Sequence, residues 1–228
     1  AVGTIKTPPP LDPNEPENLA EAIEKMGLKH AVITVVNRDD LPDSGASHYK
    51  ACLQAIRTRC PDVTLELLCS DLAGDFESLA LLLEGLELEV FAHNVECVPR
   101  LDKAVRDPRA SFATSLSILE EAKRLRPDIL TKSSLMVGLG EENFEIRESM
   151  KLLRSVDVDL LTIGQYLAPS QKHHPVLGFP EPIEFEEWGK EAISLGFLGE
   201  ACGPLVRSSY RAGRLYRQAS ARLTSETE

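Results

Sequence analysis

Residues 159–175 read Asp-Leu-Leu-Thr-Ile-Gly-Gln-Tyr-Leu-Ala-Pro-Ser-Gln-Lys-His-His-Pro, an apolar run followed by a polar stretch. The apolar, β-branched run predicts a buried strand over Leu160–Tyr166. The stretch after it predicts a long loop that carries an amide, a phenol, a lysine and two imidazoles. In parallel α/β folds, chemistry lies in the loops that follow the carboxyl ends of strands. This loop is therefore the first candidate for a functional site.

Strands and helices alternate along the rest of the chain. The uninterrupted apolar run Ala31–Val36 predicts a strand buried on both faces. Further strands are predicted at Val63–Cys69, Leu88–Ala92 and Ile129–Val137. Helices are predicted at Glu17–Met26, Tyr49–Thr58, Phe76–Glu84, Ser111–Leu125, Glu142–Ser155, Ile183–Ser194 and from Arg211 onward. Such β–α alternation predicts a parallel sheet, in either an open doubly wound fold or a barrel.

Composition narrows the class of protein. The formal net charge of −11 disfavours a nucleic-acid partner, which usually meets a basic surface. No apolar run reaches eighteen residues, so we expect no membrane-spanning helix. The five cysteines are scattered, with no C-x-x-C spacing. They indicate reduced thiols in an intracellular, reducing compartment.

The ends of the chain differ in composition from its middle. Residues 7–16 contain five prolines, which predict an extended segment rather than a regular element. We therefore expect a Pro-rich segment over residues 1–16, a partial barrel over 17–200 and a C-terminal extension over 201–228. The chain begins at an alanine rather than a methionine, which suggests a piece of a longer protein.

Polar residues follow each predicted strand, and the fourth strand itself carries Lys132 and Ser133. Because the carboxyl ends of parallel strands share one edge of a sheet, these residues are expected to meet at one rim. That density of polar side chains over apolar strands indicates an enzyme. The residues are Asn37–Asp40, Asp43–Gly45, Ser70, Asp71, Asp75, His93, Asn94, Glu96, Lys132, Ser133, Gly138–Glu141, Gln165, Tyr166, Lys172, His173 and His174.

Several of these residues have a simpler interpretation. Asp71 and Asp75 could cap the helix that follows them. Gly138-Leu139-Gly140 lacks the third glycine of a dinucleotide-binding fingerprint. Lys132 fits either a Schiff-base lysine or a fixed cation for a carboxylate or phosphate. His173 and His174 are adjacent and point apart, which disfavours a shared metal.

Seven segments, in order, resemble the lipoyl synthases of the radical S-adenosylmethionine superfamily. The resemblance covers nearly the whole chain. The segments are Pro8–Glu17, Arg38–Gly45, His93–Glu96, Val98–Leu101, Thr131–Ser133 with Leu139–Glu141, Thr162–Leu167 and Val206–Tyr210.

The resemblance implies a fold, cofactors and an activity. The fold would be a partial parallel (β/α)6 barrel, of which this chain holds units two to six. The cofactors would be S-adenosylmethionine and two 4Fe–4S clusters, one binding S-adenosylmethionine and the other an auxiliary sulfur donor. The activity would be insertion of two sulfurs at C6 and C8 of a protein-bound octanoyl-lysine.

The resemblance also implies partners and a location. The substrate would be carried by octanoylated lipoyl carrier domains, namely the glycine cleavage H protein and the E2 subunits of 2-oxoacid dehydrogenases. Ferredoxin or flavodoxin would donate electrons. The bacterial cytoplasm, the mitochondrial matrix and the plastid stroma all fit such an enzyme.

The resemblance assigns roles to individual residues. Asp43, Ser44 and Gly45 match the segment that meets the methionine amino group, although Ser44 stands where glycine is common. Asn94 and Glu96 would bind the cofactor, with Glu96 facing the ribose. Lys132 or Ser133 would face the carboxylate end or the substrate. Gln165, Tyr166 and Arg207 would line the octanoyl cavity. Ser209, or less readily Ser208, would bind the auxiliary cluster.

The chain departs from the family in lacking both cysteine motifs. Ala1-Val2 matches the pair that follows the last cysteine of the radical-cluster loop. We therefore expect the cluster ligands and the first strand upstream of Ala1, and the chain alone to be inactive. Loss of that strand would leave Ala31–Val36 as an exposed edge, which is an aggregation liability. Two alternatives stay open: an iron-independent lyase or aldolase that uses Lys132, and a non-catalytic relative.

Overall fold

The computed structural model describes residues 8–226, so the expectations for Ala1-Val2 and the rest of residues 1–7 fall outside it. Six parallel strands form one sheet in the order β1-β2-β3-β4-β5-β6. A doubly wound sheet reverses its strand order, whereas a barrel adds each strand next to the previous one. The sequential order therefore favours the barrel alternative. Among the described residues β1 and β6 do not pair, so the barrel is open.

The strands are β1 His30–Thr34, β2 Thr64–Leu68, β3 Val90–Ala92, β4 Leu130–Val137, β5 Leu160–Gln165 and β6 Gly199–Gly203. The α-helices are α1 Glu15–Met26, α2 Ala46–Arg59, α3 Phe76–Leu83, α4 Asp102–Val105, α5 Phe112–Leu125, α6 Asn143–Ser155, α7 Pro182–Ser194 and α8 Ala212–Glu226. Short 3-10 turns lie at Leu72–Gly74 and Pro99–Leu101. None of these helices is long and apolar enough to span a membrane.

The five strands and seven helices expected from the sequence are confirmed, with ends shifted by a few residues. The sequence analysis missed β6, whose residues Gly-Glu-Ala-Cys-Gly carry no β-branched or aromatic side chain. It pairs in register with β5, from Leu160 opposite Gly199 to Gly164 opposite Gly203. The expected boundary between the partial barrel, residues 17–200, and the C-terminal extension, residues 201–228, falls inside this strand.

The expectation that the first strand is buried on both faces is wrong. Within β1 only Ala31 is buried, Thr34 is exposed, and Val36 beyond the strand is 79% exposed. The reason is its position, since the described residues pair β1 with β2 alone. The expectation of an edge strand is therefore confirmed. A central strand would have had a paired strand on each side.

The two faces of the sheet are covered differently. The outer face packs on helices, and Leu65, Leu67 and Phe91 share a buried cluster with residues of those helices. On the opposite, inner face a smaller cluster lies at the amino ends of the strands. There Leu215 and Ala219 of α8 pack on Val90, Leu130 and Leu160, the first residues of β3, β4 and β5.

Helix α8 also reaches both edges of the open sheet. Gly213 lies against His30 of β1, so close that an added Cβ would be 2.9 Å from the His30 Cβ. Leu215 lies against Gly199 of β6. A Cβ added at Gly199 would be 2.8 Å from the Leu215 Cδ1. The helix therefore spans the gap between the first and last strands.

Candidate functional site

The loop after β1 holds the first candidate residues in a tight turn. The Asp43 carboxylate accepts hydrogen bonds from the backbone N–H groups of Gly45 at 3.0 Å and Ser47 at 2.9 Å. Burial of this carboxyl disfavours its charge, but the bonds from Ser47 and Gly45 outweigh burial and lower the pKa of Asp43. Asp43 thus binds two backbone N–H groups at the start of α2, whose N-cap residue is Gly45.

Ser44 and Gly45 both adopt left-handed backbone conformations, with φ of 51° and 89°. Glycine enters that region without strain, so at this turn the strain falls on Ser44. Gly45 has a second requirement, because an added Cβ would be 2.6 Å from the Tyr49 hydroxyl. The turn is therefore fixed by backbone conformation and packing.

His93, at the end of β3, belongs to a buried chain of hydrogen bonds. Its Nδ1 lies 2.9 Å from the Cys69 carbonyl oxygen. Because a carbonyl oxygen only accepts, Nδ1 carries the proton and donates the hydrogen bond. Its Nε2 then accepts from the Ser115 hydroxyl at 2.8 Å, and that hydroxyl accepts from Arg106 at 2.9 Å. Burial lowers the pKa of His93, which favours this neutral form. The arrangement is that of a structural histidine.

Asn94 and Glu96, in the loop after β3, include a polar atom that the described structure leaves without a partner. The side chain of Asn94 hydrogen-bonds the Glu96 carboxyl, and burial raises the pKa of Glu96 against the effect of that bond. The Asn94 Oδ1 is buried and has no hydrogen-bond partner among the described residues. Glu96 has a φ of 67°, a strained conformation for a non-glycine residue. A ligand with hydrogen-bond donors would satisfy this pair.

The backbone of Glu96 is held in place by β4. Its N–H donates to the Ser134 carbonyl at 3.1 Å, and its carbonyl accepts from the Met136 N–H at 2.8 Å. Backbone pairing therefore maintains the unusual conformation and aims the carboxyl.

Lys132 and Ser133 lie on opposite faces of β4, as adjacent strand residues must. The Lys132 Nζ donates to the Glu66 Oε1 at 2.7 Å, and both side chains are 1% exposed. The Ser133 Oγ accepts from the Val95 N–H at 3.2 Å and fixes the loop after β3. Because the Lys132 amine is held in an ion pair, the geometry disfavours a free Schiff-base lysine.

The ion pair of Lys132 has a third neighbour. The His30 Nε2 lies 3.6 Å from the Glu66 Oε2, and neither atom has a hydrogen-bond partner in residues 8–226. Sequence analysis missed Glu66 and His30. The signal for Glu66 was a carboxylate inside the apolar run Thr64–Leu68, at a strand position whose neighbours are buried.

The loop after β5 is held together by its own polar groups. The Gln165 Nε2 donates to the carbonyls of Val137, Tyr166 and Gly178, at 3.2, 3.0 and 3.1 Å. The Tyr166 hydroxyl donates to the His174 carbonyl at 2.9 Å. Gln165 and Tyr166 therefore anchor the loop to the end of β4, and their proposed contact with an octanoyl chain stays a prediction.

The two histidines of this loop have separate partners. His174 Nε2 lies 2.9 Å from the Leu139 carbonyl oxygen, and His173 Nδ1 lies 2.9 Å from the Ser170 hydroxyl. The interpretation that they do not share a metal agrees with this geometry. Asp71 and Asp75 likewise cap turns, accepting from Ala73 and from Glu77 and Ser78 respectively, so the capping interpretation is confirmed.

The segment Val206–Tyr210 lies on the inner face beside β5. At Gly164 an added Cβ would be 2.2 Å from the Val206 carbonyl oxygen and 3.5 Å from the Arg207 Nη1. Only glycine therefore allows the segment to lie this close to the strand. Arg207 and Ser209 are exposed and Ser208 is partly buried. Of the three residues expected to line a cavity, Arg207 is the one next to the inner face.

The described cysteines do not fit an iron–sulfur cluster. No three His, Cys, Asp or Glu side chains in residues 8–226 come together as a metal site. Burial raises the pKa of Cys52 to about 11 and those of Cys69 and Cys97 to about 12, so these thiols stay protonated. The thiolate is the form that binds metal. The orphaned Asn94 Oδ1, in contrast, fits a bound S-adenosylmethionine, whose amino and hydroxyl groups donate hydrogen bonds.

Comparison with known proteins identifies the class. Residues 2–153 match the model of the radical SAM superfamily, and the chain belongs to that superfamily. Its members use a 4Fe–4S cluster and S-adenosylmethionine. Two solved structures share the fold: HydG, a maturase of the FeFe-hydrogenase, and methylornithine synthase (PylB). The TM-scores are 0.65 over 92% of this chain and 0.58 over 74%, at 12% and 15% identity. The chain covers 48% of each of those structures.

Within the superfamily, the chain is similar to lipoyl synthases. It is 53% identical to the lipoyl synthase of Halorhodospira halophila over 90% of its length. It is 49% identical to the chloroplastic lipoyl synthase of Arabidopsis thaliana and 48% identical to the mitochondrial one of Paracoccidioides lutzii, each over 95%. The chain spans 61%, 55% and 49% of these three relatives, respectively.

Proposed function

We propose that the chain is part of a lipoyl synthase, which inserts sulfur at C6 and C8 of an octanoyl-lysine held on a carrier protein. The observation that carries the proposal is the identity of 47–53% to curated lipoyl synthases over at least 90% of the chain. When bound, S-adenosylmethionine and two 4Fe–4S clusters would supply hydrogen abstraction and sulfur. The rim geometry supports a role for this chain in binding the first of these groups.

Asn94 and Glu96 are proposed to bind S-adenosylmethionine. The Asn94 Oδ1 lacks a partner among the described residues, and the Glu96 carboxyl is fixed by backbone pairing to β4. Donors on the ligand would satisfy both acceptors and offset the desolvation that the orphaned oxygen suffers. Asp43–Gly45 would form the neighbouring wall through its backbone, since the Asp43 carboxylate already accepts hydrogen bonds from the backbone of Gly45 and Ser47.

The octanoyl chain is proposed to lie along the inner face, above Lys132. Small residues share that face in neighbouring strands, where Ser134 is opposite Thr162 and Thr162 opposite Ala201. At the lower end, the buried pair of Lys132 and Glu66 and then α8 would stop the chain. Arg207 would lie at the entrance, and Ser209 is the proposed ligand of the auxiliary cluster.

The proposed partners are octanoylated carrier domains, namely the glycine cleavage H protein and the E2 subunits of 2-oxoacid dehydrogenases. Ferredoxin or flavodoxin is the proposed electron donor. Relatives include mitochondrial and chloroplastic lipoyl synthases. The free cysteines agree with a reducing compartment of this kind.

The test is an anaerobic assay of the protein expressed from its complete reading frame, with S-adenosylmethionine, a reductant and an octanoyl-lysine peptide. We expect 5′-deoxyadenosine and a peptide that has gained two sulfur atoms, measured by mass spectrometry. Asn94→Ala should raise the KM for S-adenosylmethionine, whereas the exposed Asn18→Ala should not. A borohydride-trapped imine at Lys132 without sulfur insertion would contradict the proposal and support the lyase alternative.

A further inference from the structure

The C-terminal part of the chain carries a charge opposite to that of the whole. Residues 201–225 contain five arginines and no Asp, Glu, Lys or His, in a protein whose formal net charge is −11. The arginines are Arg207, Arg211, Arg214, Arg217 and Arg222. The rest of the chain is therefore even more acidic than the total indicates. Such a segregation of charge creates a local positive field.

These arginines lie on the solvent side of the C-terminal segment. Arg207, Arg211, Arg214 and Arg217 are all exposed, and we call them the basic face. Arg214 and Arg217 are three residues apart and lie on one side of α8, and Arg211 directly precedes the helix. The opposite side of the helix, with Ala212, Leu215 and Ala219, is buried against the sheet. Packing of α8 thus holds the basic face outward.

The basic face is unpaired within the described structure. Basic residues elsewhere pair with carboxylates, as Arg57 does with Glu89 and Arg100 with Glu145. None of the four basic-face residues forms an ion pair with a described residue, and Arg211 instead lies 5.2 Å from the Tyr210 ring. Neighbouring like charges repel each other. An acidic partner would remove that repulsion.

We propose that the basic face docks the carrier protein through a patch of carboxylates on that protein; this inference rests on the proposed function. Charge complementarity argues for an acidic partner. Position argues for the carrier, because the basic face continues directly from Val206–Tyr210, which lies on the inner face at Gly164. A carrier that contacts Arg207, at the proposed entrance, as well as the arginines beside and on α8 would present its octanoyl-lysine beside the proposed cavity. Exposed Tyr210 and Leu205 flank the basic face and suit a protein interface.

Other polyanions fit the basic face less well. A helix that binds membranes inserts its apolar side, and the apolar side of α8 is already buried under the sheet. A nucleic acid extends beyond one helix and would meet the acidic remainder of the molecule. A compact protein domain with a local acidic patch avoids both problems.

The test measures binding of an octanoylated lipoyl domain from an E2 subunit to the protein. The triple variant Arg211→Glu, Arg214→Glu, Arg217→Glu reverses the basic face and leaves Arg207, beside the proposed cavity, unchanged. We expect a loss of affinity of roughly tenfold or more, mainly through slower association. The control Lys29→Glu, Lys151→Glu, Lys190→Glu makes the same change in net charge at exposed sites elsewhere. It should change affinity less than about threefold, because distant exposed charges are screened.

Three further measurements decide between explanations. Replacing the same three arginines by lysine should preserve binding, and circular dichroism should show that all variants keep their helices. Equal losses in the two charge-reversed variants would overturn the proposal, since net charge alone would explain them. So would a basic-face variant that loses binding to phosphatidylserine vesicles or to duplex DNA but not to the lipoyl domain.

Failure of the inference can be separated from failure of the proposed function. A short octanoyl-lysine peptide has no domain to dock, so the basic-face variant should sulfurate it as the unchanged protein does. Its turnover of the octanoylated lipoyl domain should fall. Sulfuration of peptide and domain alike by the variant would overturn the docking proposal alone. Absence of sulfuration by the unchanged protein would overturn the proposed function.

Discussion

Lys132 and Glu66 form an ion pair on the inner face, with both side chains almost completely removed from water. Taking two charges out of water costs several kcal/mol per ion, and their attraction offsets that cost only while both are present. The 2.7 Å hydrogen bond between Nζ and Oε1 is the contact that offsets it here. His30 adds a second polar neighbour without forming a hydrogen bond to the pair.

Loss of one partner should therefore be more damaging than loss of both. Lys132→Met leaves the Glu66 carboxylate buried and unpaired, and we expect it to lower the free energy of unfolding by about 3–5 kcal/mol. The double variant Lys132→Met, Glu66→Leu should recover most of that loss. Urea denaturation of the protein, both single variants and the double variant measures the coupling. Strictly additive losses would contradict an ion pair.

His93 should make stability depend on pH. Its folded pKa is lowered by burial, so the neutral form is favoured in the folded state. The resulting stability is present above the ordinary pKa of about 6.5 and is lost as pH falls from there toward the lower folded pKa. We expect the unfolding free energy to fall as pH drops below about 6.5, and His93→Gln to flatten that fall. The nearby charges that act on His93 are Asp71 and Arg106. An identical slope in the variant would contradict this assignment.

At the scale of elements, the turn after β4 and the loop after β5 are built against each other. Gly138 has a φ of 94°, and an added Cβ would be 2.3 Å from the Gln165 Nε2 and 2.5 Å from the Gly178 carbonyl oxygen. The Leu177 N–H donates to the Gly138 carbonyl at 2.8 Å. The two connections therefore form one unit, which depends on a glycine in the turn.

Gly138→Ala should separate these two connections. Backbone strain and the clash with Gln165 together predict a loss of about 2–4 kcal/mol. Gly178→Ala is a matched control in the same unit, because an added Cβ there meets nothing within 4 Å. Thermal unfolding should show a clear decrease in Tm for the first variant and little change for the second. Comparable decreases in Tm for the two variants would mean that the unit depends on the flexibility of its glycines rather than on the absence of a Cβ clash at Gly138.

Sequence periodicity was sufficient to predict five of the strands and to place their polar loops at one rim. It could not predict β6, because Gly199–Gly203 has little strand propensity and becomes a strand by pairing with β5. It placed Asn94 and Glu96 at the end of β3. It could not identify Glu66 as the partner of Lys132, since the two positions belong to strands separated in the sheet by β3. Nor could it predict that Gln165 would bond across its own loop to Gly178.

At the scale of the whole molecule, α8 completes the open sheet. Leu215 is 3% exposed and packs on the first residues of the strands. Leu215→Ala should therefore cost about 2–5 kcal/mol, through lost burial and the cavity left behind. Leu205→Ala provides the control, because Leu205 is 81% exposed and its loss should stay within about 0.5 kcal/mol. Chemical denaturation measures both values, and a small effect at Leu215 would mean that α8 is only loosely attached.

The bridge that α8 makes between β1 and β6 also sets an order of events during synthesis. Of the six described strands β1 leaves the ribosome first, and α8, whose Gly213 lies against His30, follows all six. Until α8 emerges, His30 of β1 and the lower inner face lack the cover that this helix supplies. Contacts so distant in sequence form slowly, because a long loop must close first. Among the described elements, the need of the nascent chain for a chaperone is therefore greatest just before α8 emerges.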